Sequence, residues 1–173
     1  MRLFVAVPLT DEMKRALIDT QKAMYDRGVR GRFSPEENLH LTLAFVGEVP
    51  EAGPVLDALS TVSFRPFTIT LDGIGAFGDL WWAGLRDSAP LTAAARRVRR
   101  ALAGSGIPFD RKRFSPHITL IRNASKDAAG IRVAPVGMRV QTLSLMRSDR
   151  GRNGMLYTEL GTVEAALQEE VQP

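Results

Sequence analysis

Apolar and polar residues alternate over several short stretches of this chain, and in two longer stretches the apolar residues recur every three or four positions instead. Alternation is typical of β-strands, and the longer spacing is typical of amphipathic helices. Helices are predicted over residues 11–27, between Thr10 as N-cap and Gly28, and over residues 91–103, before Gly104. A short helix is predicted to end near Ala58, and strands are predicted at residues 3–7, 39–46, 66–71, 80–85, 117–121, 138–146 and 155–160.

Both histidines of the chain lie in the same four-residue pattern, His-aliphatic-Thr-Leu, at residues 40–43 and 117–120. On a strand, the His and Thr side chains of such a pattern share one face. Aligning the two patterns, from His40 to His117, also aligns Leu-Phe-Val-Ala at 3–6 with Leu-Trp-Trp-Ala at 80–83. Each half then has the order strand, helix, glycine, Phe-Ser-Pro loop and histidine strand. We therefore predict an internal duplication that places the histidine strands on opposite walls of a cleft.

Length and composition indicate a globular domain, with 173 residues of which 45% are hydrophobic and 24% are charged. The net charge of +4 suits an anionic ligand. The chain has no cysteine, which excludes disulfides, thiol nucleophiles and thiolate metal sites and is typical of a cytoplasmic protein. The apolar run at residues 3–9 is too short to span a membrane and does not resemble a signal peptide. We expect a cytoplasmic monomer without membrane association.

Two histidines on facing strands suit the cleavage of a phosphodiester. A neutral imidazole takes a proton from the attacking water while a protonated one gives a proton to the leaving oxygen on the other side of phosphorus. The hydroxyls of Thr42 and Thr119 lie on the same strand faces and can donate to the phosphate oxygens. The residues predict the pair but leave open which histidine is the acid.

Other site chemistries fit the sequence less well. Two histidines could ligate a metal, but neither pattern carries an acidic residue at ligand spacing. No Gly-x-Ser-x-Gly elbow, phosphate loop or dinucleotide fingerprint occurs. We expect neither a metal nor a cofactor.

Several basic and aromatic residues lie near the histidine patterns. Strict alternation from His117 puts Arg122 on the opposite face, so Arg122 reaches the site only if the strand ends, twists or bulges. The arginines at residues 96–100 are interpreted as a solvated helix face, with binding of a phosphate backbone as the less favoured alternative. Of Trp81 and Trp82, one is expected in the core, and the other, or Phe4, is a candidate to stack a base.

The stretches Glu-Asn-Leu-His-Leu-Thr-Leu-Ala-Phe-Val-Gly-Glu-Val (37–49) and Arg-Phe-Ser-Pro-His-Ile-Thr-Leu-Ile-Arg (113–122) resemble the paired His-x-Thr-x motifs of the 2H phosphoesterase superfamily. Their flanks, with Leu-Phe-Val-Ala-Val (3–7) and Leu-Ser-Leu-Met-Arg-Ser (143–148), resemble the RNA 2′,3′-cyclic phosphodiesterases, also called 2′-5′ RNA ligases. The resemblance covers nearly the whole chain.

This resemblance implies one bilobal α+β domain over residues 1–173, with antiparallel sheets lining a central cleft and helices outside. It implies metal-independent chemistry in which His40 is the proton donor and His117 the proton acceptor. It also implies that Thr42, Thr119 and Arg122 bind the substrate phosphate.

The expected activity is hydrolysis of RNA or nucleoside 2′,3′-cyclic phosphates to 2′-phosphomonoesters, and reverse 2′-5′ ligation stays open. Two alternatives also stay open. The same site could act on 2′-5′ oligonucleotides or on an ADP-ribose cyclic phosphate, or the chain could bind RNA ends without catalysis.

Overall fold

The computed structural model describes residues 1–166, in which three helices and nine strands form. A 3-10 turn at Glu36–Asn38 precedes the first histidine strand. The elements in chain order are β1 (Arg2–Pro8), α1 (Asp11–Asp26), β2 (Arg32–Phe33), β3 (His40–Glu48), α2 (Gly53–Leu59), β4 (Phe67–Phe77), β5 (Leu80–Leu85), α3 (Ala89–Gly104), β6 (Ile118–Arg122), β7 (Gly137–Val140), β8 (Thr142–Gly151) and β9 (Gly154–Glu164).

Antiparallel pairing gathers the strands into two sheets. One has four strands in the order β3-β1-β8-β9, and the other has five in the order β2-β6-β5-β4-β7. In each sheet the histidine strand pairs with the strand that precedes a long helix, β3 with β1 and β6 with β5. The predicted α+β fold with antiparallel sheets is therefore confirmed.

A side-chain cap starts each long helix, but the sequence predicts only the cap at Thr10, because α3 begins at Ala89, two residues before its predicted start. Thr10 Oγ1 accepts a hydrogen bond from Met13 N at 3.2 Å, and Ser88 Oγ accepts one from Leu91 N at 3.2 Å. Each helix then packs against the histidine strand of the other half, because α1 contacts β6 and α3 contacts β3. The two halves thus share one core. Within residues 1–166, no helix is long and apolar enough to cross a membrane.

The predicted strand at residues 138–146 is wrong as a single element. Residues up to Val140 form β7, which pairs with β4, whereas the chain from Thr142 onward forms β8, which pairs with β1 in the other sheet. Val140 and Leu143 are both buried on either side of Gln141. Because apolar residues occur on both sides of the change of sheet, the pattern alone could not reveal it.

The strand predicted at residues 66–71 continues to Phe77 as β4. Asp72 and Gly73 look like turn residues, but here they form an irregularity in the pairing with β5, and Gly73 has a φ of 68°. Past that irregularity, Gly75 lies against the ring of Trp82, where a Cβ would come within 2.3 Å of the indole. The extension brings Phe77 beside the second histidine pattern.

Candidate active site

The two imidazoles are held by the same backbone contact. His40 Nδ1 lies 2.6 Å from the carbonyl oxygen of Asn38, and His117 Nδ1 lies 2.7 Å from the carbonyl oxygen of Ser115. A carbonyl oxygen only accepts, so Nδ1 carries the proton in both rings. In the neutral form each Nε2 is then the acceptor that is left for chemistry.

Both histidine strands bulge at the fourth residue of their pattern. Ala44 pairs with Val5 and Thr42 with Ala6, which leaves Leu43 without a partner on β1. In the other half the pairing of β5 with β6 passes from Ile121 to Thr119 and leaves out Leu120. Two consecutive buried residues result in each strand, Leu43 with Ala44 and Leu120 with Ile121.

The second bulge decides the position of Arg122. Because Leu120 and Ile121 both point into the core, the alternation resumes out of phase and the exposed Arg122 returns to the face of His117 and Thr119. Phe45 returns to the face of His40 in the same way and is 38% exposed. The expectation of strict alternation is therefore wrong for Arg122, because the bulge at Leu120 shifts the alternation by one residue.

The strand pairing also corrects the repeat alignment by one residue. Ala6 lies opposite Thr42, whereas Trp82 lies opposite Thr119. Ala6 thus corresponds to Trp82, and the match of Leu-Phe-Val-Ala with Leu-Trp-Trp-Ala is one residue out of register. The histidine patterns themselves keep their correspondence.

Aromatic side chains surround both imidazoles. The His40 ring centroid lies 4.9 Å from that of Phe4 and 5.2 Å from that of Tyr157, which it meets edge-on at 90°. The His117 ring lies 5.2 Å from Phe77, at 85°, and 6.2 Å from Trp82. Each histidine therefore has one perpendicular aromatic neighbour and one tilted neighbour.

Sequence reasoning missed Tyr157 and Phe77. Tyr157 comes from the far end of the chain, on a strand that the pattern predicts without showing which residues it contacts. The same strand is attached to the site by a hydrogen bond from Asn38 Nδ2 to Met155 O at 2.9 Å. Phe77 lies beyond the predicted end of its strand and is 49% exposed. Phe4 is only 2% exposed, so it packs beneath His40 and offers no open stacking face.

Arg122 affects the protonation of two groups in the site. Burial lowers the pKa of His40 below its ordinary value of 6.5, opposed by the Asn38 hydrogen bond, and the positive charges of Arg122 and His117 lower it further. Burial raises the pKa of Tyr157, while Arg122 and Arg2 act against the rise. Arg122 on one sheet therefore acts on two groups of the other sheet.

The ion pairs among residues 1–166 are Met1 with Glu48 and Arg147 with Asp149, so none of them neutralises Arg122. Over the same residues no group of three or more His, Cys, Asp or Glu side chains is placed to hold a metal ion.

One arginine of the helix 96–100 departs from the predicted solvated face. Arg99 is half-buried, and its Nη1 donates to Lys112 O at 2.7 Å while its Nε donates to Leu43 O at 3.3 Å. The other three arginines of this stretch, Arg96, Arg97 and Arg100, are exposed. The helical spacing alone does not show that a loop and a strand edge cover position 99.

Similarity to known proteins identifies the family of this chain. The model of the family described as LigT-like phosphoesterase matches residues 7–80 and 85–157 of the chain. This chain belongs to the LigT-like phosphoesterase family. The resemblance seen in the sequence is confirmed, and both histidine patterns of this phosphoesterase lie within the matched segments.

Curated relatives agree with the family. An RNA 2′,3′-cyclic phosphodiesterase of Archaeoglobus fulgidus is 37% identical over 95% of this chain and all of its own length. A protein of the same name from Geobacillus stearothermophilus is 35% identical over 72% of this chain, and the match spans 43% of that longer relative. The crystal structure of Escherichia coli LigT in apo form superposes with a TM-score of 0.82 at 30% identity, covering 96% of this chain and 98% of LigT. Another LigT structure contains 3′-AMP.

Proposed function

We propose that this phosphoesterase hydrolyses 2′,3′-cyclic phosphodiesters at RNA ends or on nucleosides and produces 2′-phosphomonoesters. The observation that carries the proposal is the matched pair of imidazoles, each with Nδ1 bound to a carbonyl oxygen two residues earlier and Nε2 left for proton transfer. The names of the relatives and the nucleotide in a LigT structure support the choice of substrate class.

In the proposed reaction His117 Nε2 takes a proton from water as the water oxygen attacks phosphorus. The bond from phosphorus to the 3′ oxygen breaks, and His40 Nε2 gives its proton to that departing oxygen. The phosphate keeps its ester bond to the 2′ oxygen, so one water is consumed and no other reactant is needed. These roles follow the family resemblance.

Negative charge that develops on the phosphate requires donors on the same side as the histidines. Thr42 and Thr119 are half-exposed on the strand faces of their histidines, and the bulge turns Arg122 to that face. We assign the non-bridging phosphate oxygens to these three side chains, since preorganised donors stabilise the transition state more than mobile water does.

The lowered pKa of His40 bears on its role as proton donor. In the free enzyme its burial and the charges of Arg122 and His117 favour the neutral ring. An anionic phosphate bound beside these groups offsets the two charges and favours the protonated ring that the donor role requires. Substrate binding and protonation of His40 are therefore coupled in this proposal.

The test is incubation with each 2′,3′-cyclic nucleotide followed by chromatographic separation of the 2′- and 3′-monophosphates. The expected product is the 2′-monophosphate alone, formed equally well in excess chelator. Unchanged substrate that binds tightly would point to a module that only grips RNA ends. Inactivation by chelator that zinc reverses would contradict the proposed mechanism.

We also propose that the protein acts as a cytoplasmic monomer and that its two halves arose by duplication. The absence of cysteine supports a reducing compartment, and the matching bulges support the duplication. Light scattering during size-exclusion chromatography should give a mass near 19.0 kDa. A dimer mass would contradict the monomer.

A further inference from the structure

We propose that Gln21 and Arg99 are a matched pair of positioning residues for the active site. Each lies on one long helix and binds the backbone carbonyl at the bulge of the other half's histidine strand. Each bulge in turn sets the side chain two residues further on, Arg122 or Phe45, toward the site. The inference rests on the proposed function, because it assumes that Arg122 binds the substrate phosphate.

Gln21 holds the second bulge through one nitrogen. Its Nε2 donates to Leu120 O at 3.0 Å and to Ser34 O at 2.9 Å. Ser34 completes the attachment, since its backbone N donates to Leu120 O at 2.9 Å and its Oγ donates to Thr119 O at 2.9 Å. Gln21 is only 9% exposed, and the chain thus buries an amide where α1 meets the bulge.

Arg99 holds the first bulge with two nitrogens. Its Nε donates to Leu43 O, the carbonyl of the residue that has no partner on β1, and its Nη1 donates to Lys112 O. In both halves the second acceptor lies 13 residues after the helix residue, Ser34 after Gln21 and Lys112 after Arg99. Gln21 and Arg99 therefore make equivalent pairs of hydrogen bonds with different donor groups.

Gln21 and Arg99 also occupy equivalent positions on their helices. The capping residues Thr10 and Ser88 are the same number of residues apart as Gln21 and Arg99, so both donors occupy the same place on their helices. One acceptor of each donor is the bulge carbonyl of the opposite half, Leu120 O for Gln21 and Leu43 O for Arg99. This reciprocal arrangement means that neither histidine strand is shaped by its own half alone.

A bulge interrupts the ladder locally, so hydrogen bonds that reach its carbonyl from a helix stabilise the bulge relative to regular pairing. Without the Gln21 amide, Leu120 O keeps only the Ser34 donor, and the loop at Ser34 loses its attachment to α1. The bulge that turns Arg122 to the face of His117 then becomes less favourable relative to regular pairing, which would turn Arg122 away.

The first test is a double-mutant cycle of Gln21→Met with Arg122→Met, assayed on 2′,3′-cyclic AMP. Gln21→Met should lower kcat/KM about tenfold, mostly through KM, and should lower it less than about twofold when Arg122 is already Met. Equal factors in both backgrounds would overturn the inference. If Arg122→Met alone has no effect, the proposed role of Arg122 fails instead, so the two failures are distinguishable.

The second readout is the titration of His40 by NMR. Because Arg122 lowers the pKa of His40, a Gln21 variant that releases Arg122 should raise that pKa. Leu in place of Gln21 is uncharged and also loses the two amide donors, so Gln21→Leu serves if the Met variant does not fold. An unchanged His40 titration in a folded Gln21 variant would overturn the inference.

Arg99 is tested against its exposed neighbour on the same helix. Arg99→Met should lower kcat/KM about threefold by releasing the strand that carries Phe45 and His40, whereas Arg100→Met should stay within about twofold of the unmodified enzyme. Arg99→Lys, which has one donor nitrogen where Arg99 uses two, should recover part of the loss. Equal activity of the Arg99→Met and Arg100→Met variants would overturn the role of Arg99.

Discussion

The two histidine strands share a scaffold and differ in what surrounds it. Both hold Nδ1 on a carbonyl oxygen, both bulge at the fourth residue of the pattern, and both place an aromatic ring perpendicular to the imidazole. After the bulge, however, one strand carries Phe45 and the other carries Arg122. A repeated fold thus presents matched imidazoles in unlike electrostatic settings, which is what an acid and a base require.

The largest expected effect comes from removing either imidazole. His40→Gln and His117→Gln should each lower kcat by about 10²–10⁴-fold, because each removes one proton transfer from the same step. The double variant should be little slower than the slower single variant, since the pair acts as a unit. Steady-state kinetics on 2′,3′-cyclic nucleotides measure this, with Arg96→Ala as an exposed control. Near-wild-type turnover in either single variant would contradict the matched pair.

Arg122 and Phe45 occupy equivalent positions, so their replacement sharpens the comparison. Arg122→Met should lower kcat/KM by about 10²-fold through lost phosphate binding and transition-state charge, whereas Phe45→Ala should lower it by only about threefold. Inhibition by inorganic phosphate offers an independent check, since its affinity should fall in the Arg122 variant alone. Equal losses at both positions would show that the charge is not what distinguishes the two strands.

The pH dependence follows from the lowered pKa of His40. Because the proton donor His40 must be protonated, kcat/KM of the free enzyme should fall as pH rises through the pKa of His40. This limb should lie below pH 6.5, because burial and the charges of Arg122 and His117 favour the neutral ring. Arg122→Met removes one of those charges, so the same limb should move to higher pH. A limb that stays in place or moves to lower pH would contradict the electrostatic account.

A smaller effect is expected where β4 supports the His117 wall. Gly75→Ala forces a Cβ within 2.3 Å of Trp82, so it should lower the free energy of unfolding by about 1–3 kcal/mol and displace the ring beside His117. Gly104→Ala adds a Cβ in open space at the end of α3 and is the matched control. Denaturant unfolding measures both variants, and equal stability of the two would show that Trp82 can move freely.

Local signals in the sequence were sufficient for much of this structure. The predicted cap at Thr10 lies at a helix start, and the alternating patterns give most strands as well as the shared face of each histidine and threonine. Each of these features depends on residues within a few positions of one another, which is why periodicity reveals them.

What the sequence could not show depends on contacts between distant segments. The bulges at Leu43 and Leu120 exist because strand pairing and a helix side chain from the other half both favour them, and nothing in the apolar pattern distinguishes them from regular alternation. The change of sheet at Gln141 and the approach of Tyr157 to His40 are likewise tertiary events.

The most direct test of whether the two matched histidines have different electrostatic surroundings is a pH titration followed by the NMR signals of the imidazole carbons. This measurement is simple in a chain with two histidines. His117→Gln assigns the signal of His40. We predict that His40 titrates below 6.5 in the free enzyme and that Arg122→Met raises its pKa. A His40 pKa at or above 6.5 that is unaffected by loss of Arg122 would contradict the account.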